Sequence, residues 1–250
     1  MPSVEFTTAG PVATITLSDD ARRNVLTVEM IDAVIASIDA CEADDAVRVV
    51  VVTNTGRTFC AGADLSGPGG APVDLAGLLD RVQRSPLPFV GRVAGHCVAG
   101  GVGLAAVMDL SIAVEDATFG FTEVRLGLAP AIISVVCLPK MRRGDALAAF
   151  LRGGRFPATE AARLGLVTAT AGAASLDAAV GEVVADLLLG EPAALAAAKR
   201  LVYEVPTMSV GEAFAHASGL SASLFASEAA REGIAAYLEK RPARWAPPAP

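Results

Sequence analysis

The chain has 250 residues, 53% hydrophobic and 19% charged, which is enough apolar sequence to bury a substantial core and excludes general disorder. Its 20 Lys and Arg against 27 Asp and Glu leave a net charge of −7, an acidic balance that disfavours nucleic acid as a partner. No apolar stretch approaches the roughly 18 residues of a membrane span, so we expect no membrane partner. The N-terminus lacks a basic segment followed by an apolar core, which predicts a cytoplasmic location.

The first half of the chain is predicted to alternate strands and helices. Alternating apolar residues on either side of Gly10-Pro11 predict an N-terminal hairpin. Helical spacing predicts a helix from about Thr27, a candidate N-cap, to Cys41. Core strands are predicted at residues 47–53, 88–93 and 110–114. Strand-loop-helix units of roughly 40 residues or fewer therefore predict a mixed α/β core.

The second half, from about Met141, is predicted to be mainly helical. Its Ala- and Leu-rich stretches with helical periodicity span 158–164, 176–189, 192–202, 210–222 and 227–237. The proline-rich tail from Arg241 cannot form a regular element, and we expect it to fray. These patterns divide the chain into a core domain, residues 1–190, and a C-terminal helical region with the tail, residues 191–250.

The four cysteines are widely spaced and form no C-x-x-C pair. This arrangement predicts reduced thiols in the core rather than disulfides or a zinc site, and no metal site is expected. The four residues are Cys41, Cys60, Cys97 and Cys137.

Two loops are almost without large side chains. One runs from Phe59 to Leu65 after the strand at 47–53, and the other runs from Gly95 into Ala106. Small residues leave backbone N–H groups uncovered. If the N–H groups of Ala63 and Gly100 converge, they form a two-donor oxyanion hole. The alternative is that these residues are small because the loops pack closely against neighbours.

The segment from 66 to 73 is rich in Gly and Pro and follows the first loop directly. We expect it to be a surface linker, with a lid edge over a ligand as the alternative. Neither glycine run has the spacing of a phosphate-binding loop, and neither loop places Ser between its glycines as a hydrolase nucleophile elbow does.

Glu123 is the outstanding acid/base candidate. It lies in apolar sequence, and burial among Phe119, Phe121 and Leu126 would raise its pKa, as a general base near neutral pH requires. The alternative is a surface turn in which Glu123 pairs with Arg125.

Four segments, 23–27, 56–65, 95–105 and 119–130, together resemble the crotonase family, the enoyl-CoA hydratase/isomerase superfamily. The resemblance covers nearly the whole chain. It implies an α/β fold, a crotonase-like spiral of ββα units with a helical C-terminal trimerisation region, and assembly as homotrimers or dimers of trimers. It also implies an acyl-CoA substrate and no cofactor beyond the coenzyme A that is part of this substrate.

The resemblance also assigns roles to individual residues. The N–H groups of Ala63 and Gly100 would hold the thioester oxygen, and Glu123 would transfer protons. Lys240 would lie near the phosphorylated end of the coenzyme, or else be a solvated tail lysine. The implied substrate-binding residues are Asn24, Val25, Leu26, Ala61, Asp64, Leu65, Ser66 and Lys240.

This chain departs from the family pattern at Gly103, where similar hydratases carry a second catalytic glutamate. Glu123 alone still permits hydration of a 2-enoyl-CoA, which we take as the leading interpretation. It also permits Δ3,Δ2-enoyl-CoA isomerisation, and the alternative from another class is an acyl-CoA binding protein with little catalysis. Some family members with Gly at this place resemble hydratases of branched glutaconyl-type thioesters. A second departure, the segment 129–134, is expected to reshape the acyl pocket.

Overall fold

The computed structural model describes residues 3–64 and 74–247. The strands are β1 (Val4–Ala9), β2 (Val12–Leu17), β3 (Val49–Asn54), β4 (Thr58–Cys60), β5 (Phe89–Val93), β6 (His96–Val98), β7 (Leu110–Val114), β8 (Thr118–Gly120), β9 (Arg155–Pro157) and β10 (Ala169–Ala171). The α-helices are α1 (Val28–Ala43), α2 (Leu75–Arg84), α3 (Gly100–Val107), α4 (Ala131–Cys137), α5 (Arg143–Arg152), α6 (Ala158–Arg163), α7 (Leu176–Leu189), α8 (Pro192–Glu204), α9 (Val210–Ala226) and α10 (Glu228–Glu239).

The core consists of β-β-α units whose two strands enter different sheets. In three successive units, β3-β4-α2, β5-β6-α3 and β7-β8-α4, the first strand joins a six-stranded sheet in the order β1-β2-β3-β5-β7-β10. The second strand joins a four-stranded sheet in the order β4-β6-β8-β9. Each unit thus returns the chain to both sheets, which confirms the predicted spiral of ββα units.

Parallel pairing explains why the central strands have no polar face. In the six-stranded sheet, β3 lies parallel to both β2 and β5, with Val51 beside Val90. All six residues of β3 are buried. Helix α1 packs against β2, and α7 packs against β5 and β7. A parallel sheet covered in this way needs apolar residues at successive positions rather than at alternate ones.

The predicted elements correspond closely to those of the structure. The hairpin is β1 and β2, paired antiparallel. Helix α1 begins after Thr27, whose side-chain oxygen accepts a hydrogen bond from the Met30 N–H at 3.2 Å. The three predicted strands are β3, β5 and β7, and the five predicted helices are α6 to α10. The domain boundary at residue 190 stays a prediction, and α8 begins just beyond it at Pro192.

All four cysteines are free and buried, as predicted. Across residues 3–64 and 74–247, His, Cys, Asp and Glu side chains form no group of three that could hold a metal ion. In the same residues, no helix combines the length and the apolar character needed to cross a bilayer.

The C-terminal tail, up to residue 247, is anchored, so the expectation that it frays is wrong there. It forms no regular element, as predicted, but the Trp245 Nε1–H donates to the carbonyl oxygen of Leu189 at 3.0 Å. A guanidinium N–H of Arg48 donates to the Trp245 carbonyl oxygen. Arg241 forms an ion pair with Glu232 at 2.7 Å. Leu189 and Arg48 lie 56 and 197 residues from Trp245, which is why composition alone does not predict these contacts.

Asn24 joins the N-terminal segment to the turn between β3 and β4. Its side chain is 0% exposed and its φ is 50°, a left-handed conformation that Asn tolerates better than most residues. Its Nδ2 donates to the carbonyl oxygens of Thr58 at 2.8 Å and Thr55 at 3.2 Å, and its Oδ1 accepts from the Asp19 N–H at 2.8 Å. These partners fix the orientation of the amide, because carbonyl oxygens and N–H groups require opposite ends of it.

The Asn24 link predicts a specific loss of stability. In Asn24→Ala, the Asp19 N–H loses its side-chain acceptor, and the carbonyl oxygens of Thr55 and Thr58 keep only the Asn54 Nδ2, at 3.2 and 3.3 Å, as a side-chain donor. We therefore expect the free energy of unfolding to fall by about 1–3 kcal/mol. Urea denaturation measures this difference. The matched variant Asn24→Asp keeps the acceptor and the shape but turns an oxygen toward the two carbonyls, so it should be destabilised as well. Wild-type stability of Asn24→Asp would show that the Nδ2 hydrogen bonds do not hold this segment.

Candidate active site

Two backbone segments meet where β4 ends and α3 begins. Gly62 has a φ of +88°, and a Cβ placed on it would lie 3.1 Å from the backbone nitrogen of Gly100 and 3.1 Å from the Ala99 Cβ. A side chain here would be strained by its backbone and crowded by its neighbours. Gly62 is therefore small because it packs closely, and this packing brings the loop that contains Ala63 against the start of α3.

Leu26 holds Ala63 in place. The two residues form a parallel β-bridge, in which the Leu26 N–H donates to the Gly62 carbonyl at 2.8 Å and the Asp64 N–H donates to the Leu26 carbonyl at 3.2 Å. In this bridge Leu26 bonds through its own N–H and carbonyl, whereas on the other side the bonds go to the neighbours of Ala63 and not to Ala63 itself. The Ala63 N–H accordingly has no hydrogen-bond partner within the described part of the chain. It is available to an acceptor from outside the protein.

Gly100 supplies a second N–H. It is the first residue of α3, where the backbone N–H has no partner within the helix and the helix dipole is positive. No hydrogen bond joins this N–H to any residue of 3–64 or 74–247. The contact with Gly62 brings the two predicted donor segments together, while their role as an oxyanion hole stays a prediction.

The turn before Gly100 has an unusual backbone. Ala99 has φ 50° and ψ −121°, and a non-glycine residue in such a sparsely populated region costs about 1–3 kcal/mol. The Ala99 N–H donates to the Gly120 carbonyl at 2.9 Å, and the Val102 N–H donates to the Ala99 carbonyl at 2.8 Å. These bonds fix the direction of the following N–H. Sequence reasoning missed Ala99, because alanine gives no signal for this conformation.

Glu123 begins a 3-10 helix, Glu123–Leu126, three residues beyond the Gly120 carbonyl to which Ala99 is bonded. Its Oε2 is buried and makes no hydrogen bond with a described residue. Burial raises the pKa of this carboxyl, because it removes water from the charged form, while a backbone hydrogen bond opposes the shift. The predicted direction is therefore confirmed.

The surroundings of Glu123 differ in part from the prediction. Phe119 and Phe121 are both 0% exposed, as expected for an apolar environment. Leu126 is 60% exposed, too much to desolvate the carboxylate, so the expectation was wrong for this residue. The alternative pairing with Arg125 is not observed in the described residues, where the Arg125 guanidinium donates instead to the Arg152 carbonyl oxygen at 3.4 Å.

Two acids further along the chain, Asp109 and Glu115, are not expected to replace the glutamate missing at Gly103. Asp109 forms an ion pair with Lys199 at 2.8 Å and accepts a hydrogen bond from the Phe89 N–H at 2.8 Å. Glu115 is exposed. Asp109 is thus occupied by other partners, and Glu115 lies at the surface and not in a buried site.

The remaining predicted binding residues fall into three groups. Asn24 and Leu26 are fully buried, so they position the segment, whereas Val25, Ala61 and Asp64 are half-buried around the same loop. Leu65 and Ser66, together with the predicted linker at 66–73, lie outside the described residues. Lys240 caps α10 with φ 56°, and no hydrogen bond or ion pair within the described residues links its exposed side chain to the loops.

Comparisons with known proteins identify the family of this chain. The sequence model of the family described as enoyl-CoA hydratase/isomerase matches residues 7–248. A relative from Thermus thermophilus, named a putative enoyl-CoA hydratase, is 35% identical over 247 residues, covering 94% of this chain and 98% of the relative. A relative from Escherichia coli, named 2,3-dehydroadipyl-CoA hydratase, is 30% identical over 241 residues, covering 92% of this chain and 93% of the relative.

Solved structures show the same fold. An enoyl-CoA hydratase from Mycobacterium smegmatis superposes with a TM-score of 0.92 at 29% identity, covering 98% of this chain and 99% of the other. Pseudomonas aeruginosa AtuE superposes with a TM-score of 0.91 at 29% identity, covering 98% and 100% of the two chains. Sequence and architecture thus agree over nearly the full length of the chain, which belongs to the enoyl-CoA hydratase/isomerase family.

Proposed function

We propose that this protein is an enoyl-CoA hydratase that adds water to a 2-enoyl-CoA thioester with Glu123 as its single acid/base. The observation that carries the proposal is the buried Glu123 Oε2, which has no hydrogen-bond partner in the described residues. A carboxylate oxygen left in this state is costly for stability, and a proton-transfer role explains why it is kept. The E. coli and T. thermophilus relatives, both named as hydratases, support the reaction class.

The proposed reaction uses two backbone donors and one carboxylate. The N–H groups of Ala63 and Gly100 bind the thioester oxygen and stabilise the negative charge that develops there, an effect worth roughly 10²–10³ in rate for each donor. The Glu123 carboxylate takes a proton from water, and the resulting hydroxide adds to the β-carbon to give the enolate. Glu123 then returns the proton to the α-carbon, so that the enzyme ends in its starting state.

The substrate path is part of the same proposal. Val25, Ala61 and Asp64 would line the entry for the coenzyme, and the family resemblance also assigns substrate binding to Leu65 and Ser66, which lie outside the described residues. Asn24 and Leu26 are both buried, so they would position the residues that line this path and not contact the coenzyme directly. Lys240 would approach the phosphorylated end of the coenzyme. The reaction needs no cofactor beyond the coenzyme A that the substrate itself carries.

A second candidate, Δ3,Δ2-enoyl-CoA isomerisation, is favoured by Gly103. Similar hydratases with two glutamates use one to activate water and the other to protonate the carbon. In this chain Gly103 stands in place of the second glutamate and cannot transfer a proton. Isomerisation requires one base, which removes a proton from one carbon and returns it two carbons away. The same oxyanion hole would stabilise the dienolate formed in between.

A panel of thioesters separates these functions. We expect the protein to hydrate crotonyl-CoA or a longer or branched 2-enoyl-CoA, and Glu123→Gln to lower kcat by roughly 10²–10⁴-fold, since its amide cannot accept the proton. Mass spectrometry detects hydration as a gain of one water. Isomerisation of a 3-enoyl-CoA leaves the mass unchanged and is detected by the ultraviolet absorbance of the conjugated 2-enoyl product. The exposed Glu115→Gln is the matched control. Equal rates in Glu123→Gln and wild type would remove Glu123 from the mechanism, and binding without turnover of any thioester would favour an acyl-CoA binding protein.

The pH dependence follows from the burial of Glu123. The carboxylate form takes the proton from water, so the rate falls as the pH drops through the pKa of Glu123. Because burial raises this pKa, the acidic limb of kcat/KM should lie above the ordinary glutamate value of about 4.3. The Cys137 thiol, which interacts electrostatically with Glu123, stays neutral in this range because burial raises its pKa to about 12. An acidic limb at or below the ordinary glutamate value would contradict the assignment.

The C-terminal helices support self-association, which we propose as a homotrimer or a dimer of trimers. Phe214 and Phe225 on α9 are 70% and 71% exposed, and their spacing of about three turns places them on one face. We expect light scattering to give a mass of three or six times the 25.3 kDa chain. The double variant Phe214→Lys/Phe225→Lys should lower this mass. Ala215→Lys/Ser223→Lys adds the same charge at exposed positions off that face of α9 and should leave the mass unchanged. A monomeric wild type at micromolar concentration would contradict the proposal.

A further inference from the structure

Gly103 and Ile133 interlock at the contact between α3 and α4. Gly103 lies one turn beyond Gly100 on α3, and Ile133 on α4 is 2% exposed. A Cβ placed on Gly103 would lie 2.3 Å from Ile133 Cγ2, 2.8 Å from its Cβ and 3.5 Å from its Cα. Ile133 is branched at Cβ, and its side chain cannot easily rotate out of the way. The two helices therefore approach as closely as they do because position 103 has no side chain.

The contact between Gly103 and Ile133 joins α3 and α4, the helices next to the proposed donor Gly100 and the proposed base Glu123. Helix α3 begins with the Gly100 donor. Helix α4 follows Glu123 after a short turn, which is closed by the Leu128 N–H bonded to the Glu123 carbonyl at 3.1 Å. The Glu123 carboxylate and the Cys137 thiol of α4 also lie within electrostatic reach of each other. A displacement of α4 relative to α3 would therefore move Glu123 relative to Gly100.

We propose that the contact of Gly103 with Ile133 sets the separation between the Gly100 N–H and the Glu123 carboxylate, which makes both residues positioning residues for proton transfer. This inference rests on the proposed function. It also gives the departure at Gly103 a physical meaning, since the space in front of it is filled by an aliphatic side chain. Misplacement of a reacting group by about 1 Å can cost roughly 100-fold in rate, so a contact of this kind matters for catalysis.

The test is a double-mutant cycle at temperatures where every variant is folded. We expect Gly103→Ala to lower kcat by about 10- to 100-fold, with KM for the thioester within about twofold of wild type. In Gly103→Ala/Ile133→Gly, both Cγ2 and Cβ of residue 133 are gone, and the Cα at 3.5 Å is then the atom of residue 133 nearest to the new methyl group. The kcat of this double variant should return to within about threefold of wild type. A contact that serves stability alone would change the melting temperature but not the kcat of the folded enzyme.

Two controls keep this test decisive. Gly181→Ala on α7, where a Cβ meets no atom within 4 Å, measures the effect of a Gly-to-Ala change in a helix and should leave kcat unchanged. Ile133→Val keeps Cγ2 against Gly103, whereas Ile133→Ala removes it. If Gly103→Ala does not fold, Ile133→Ala should show a lower kcat than Ile133→Val. Equal kcat values for these two variants, or an unchanged kcat in folded Gly103→Ala, would overturn the proposal.

A second readout is independent of turnover. In protein with ¹³C-labelled glutamate carboxyl groups, the Glu123 resonance is identified by its loss in Glu123→Gln, and its titration is followed by NMR. The pKa of Glu123 should fall toward the ordinary value in Gly103→Ala, because the displaced helix admits water, and it should return in the double variant. If wild type converts no thioester, the proposed function fails, and this titration is then the only test of the Gly103–Ile133 contact. Identical titration of Glu123 in Gly103→Ala and in wild type would overturn the positioning role of that contact.

Discussion

The candidate site depends on one contact, in which the backbone at Gly62 lies against the backbone at Gly100. The geometry leaves no room for a side chain, since a Cβ on Gly62 would lie 3.1 Å from the Gly100 nitrogen. Two N–H groups can serve one acceptor only when their segments approach this closely. Close packing therefore requires a small residue at Gly62, and the proposed oxyanion hole depends on the same contact.

Links from both sides hold this contact. On one side, the buried amide of Asn24 binds the turn before β4, and the next residues pair with the Gly62 loop through the Leu26–Ala63 bridge. On the other side, the Ala99 N–H is bonded to the Gly120 carbonyl, close to Glu123 in the chain. Four elements that are distant in sequence thus meet at one place. Groups on loops can be positioned for chemistry when a rigid scaffold holds them in this way.

Local patterns predicted the elements well because their causes are local. The ends of α7 and β7 agree with the predicted ranges to the residue, since periodicity and breaker residues lie within each segment. Predictions failed where the partner is remote. The tail is anchored by the hydrogen bond from Trp245 to Leu189, 56 residues away. The prediction for Leu126 failed for another reason: its 3-10 helix lies at the surface, so the side chain is exposed.

The sequence by itself determined the order and type of the elements, the family, the two loops without large side chains, and the presence of Glu123 without a second glutamate at position 103. Tertiary structure decided which N–H groups have no partner among residues 3–64 and 74–247, because that depends on the bridge between Leu26 and Ala63 and on where α3 begins. It also decided that a carboxylate oxygen of Glu123 is buried with no hydrogen bond to that part of the chain, and that Ile133 fills the space before Gly103. These are contacts between residues far apart in the chain, and no local pattern specifies them.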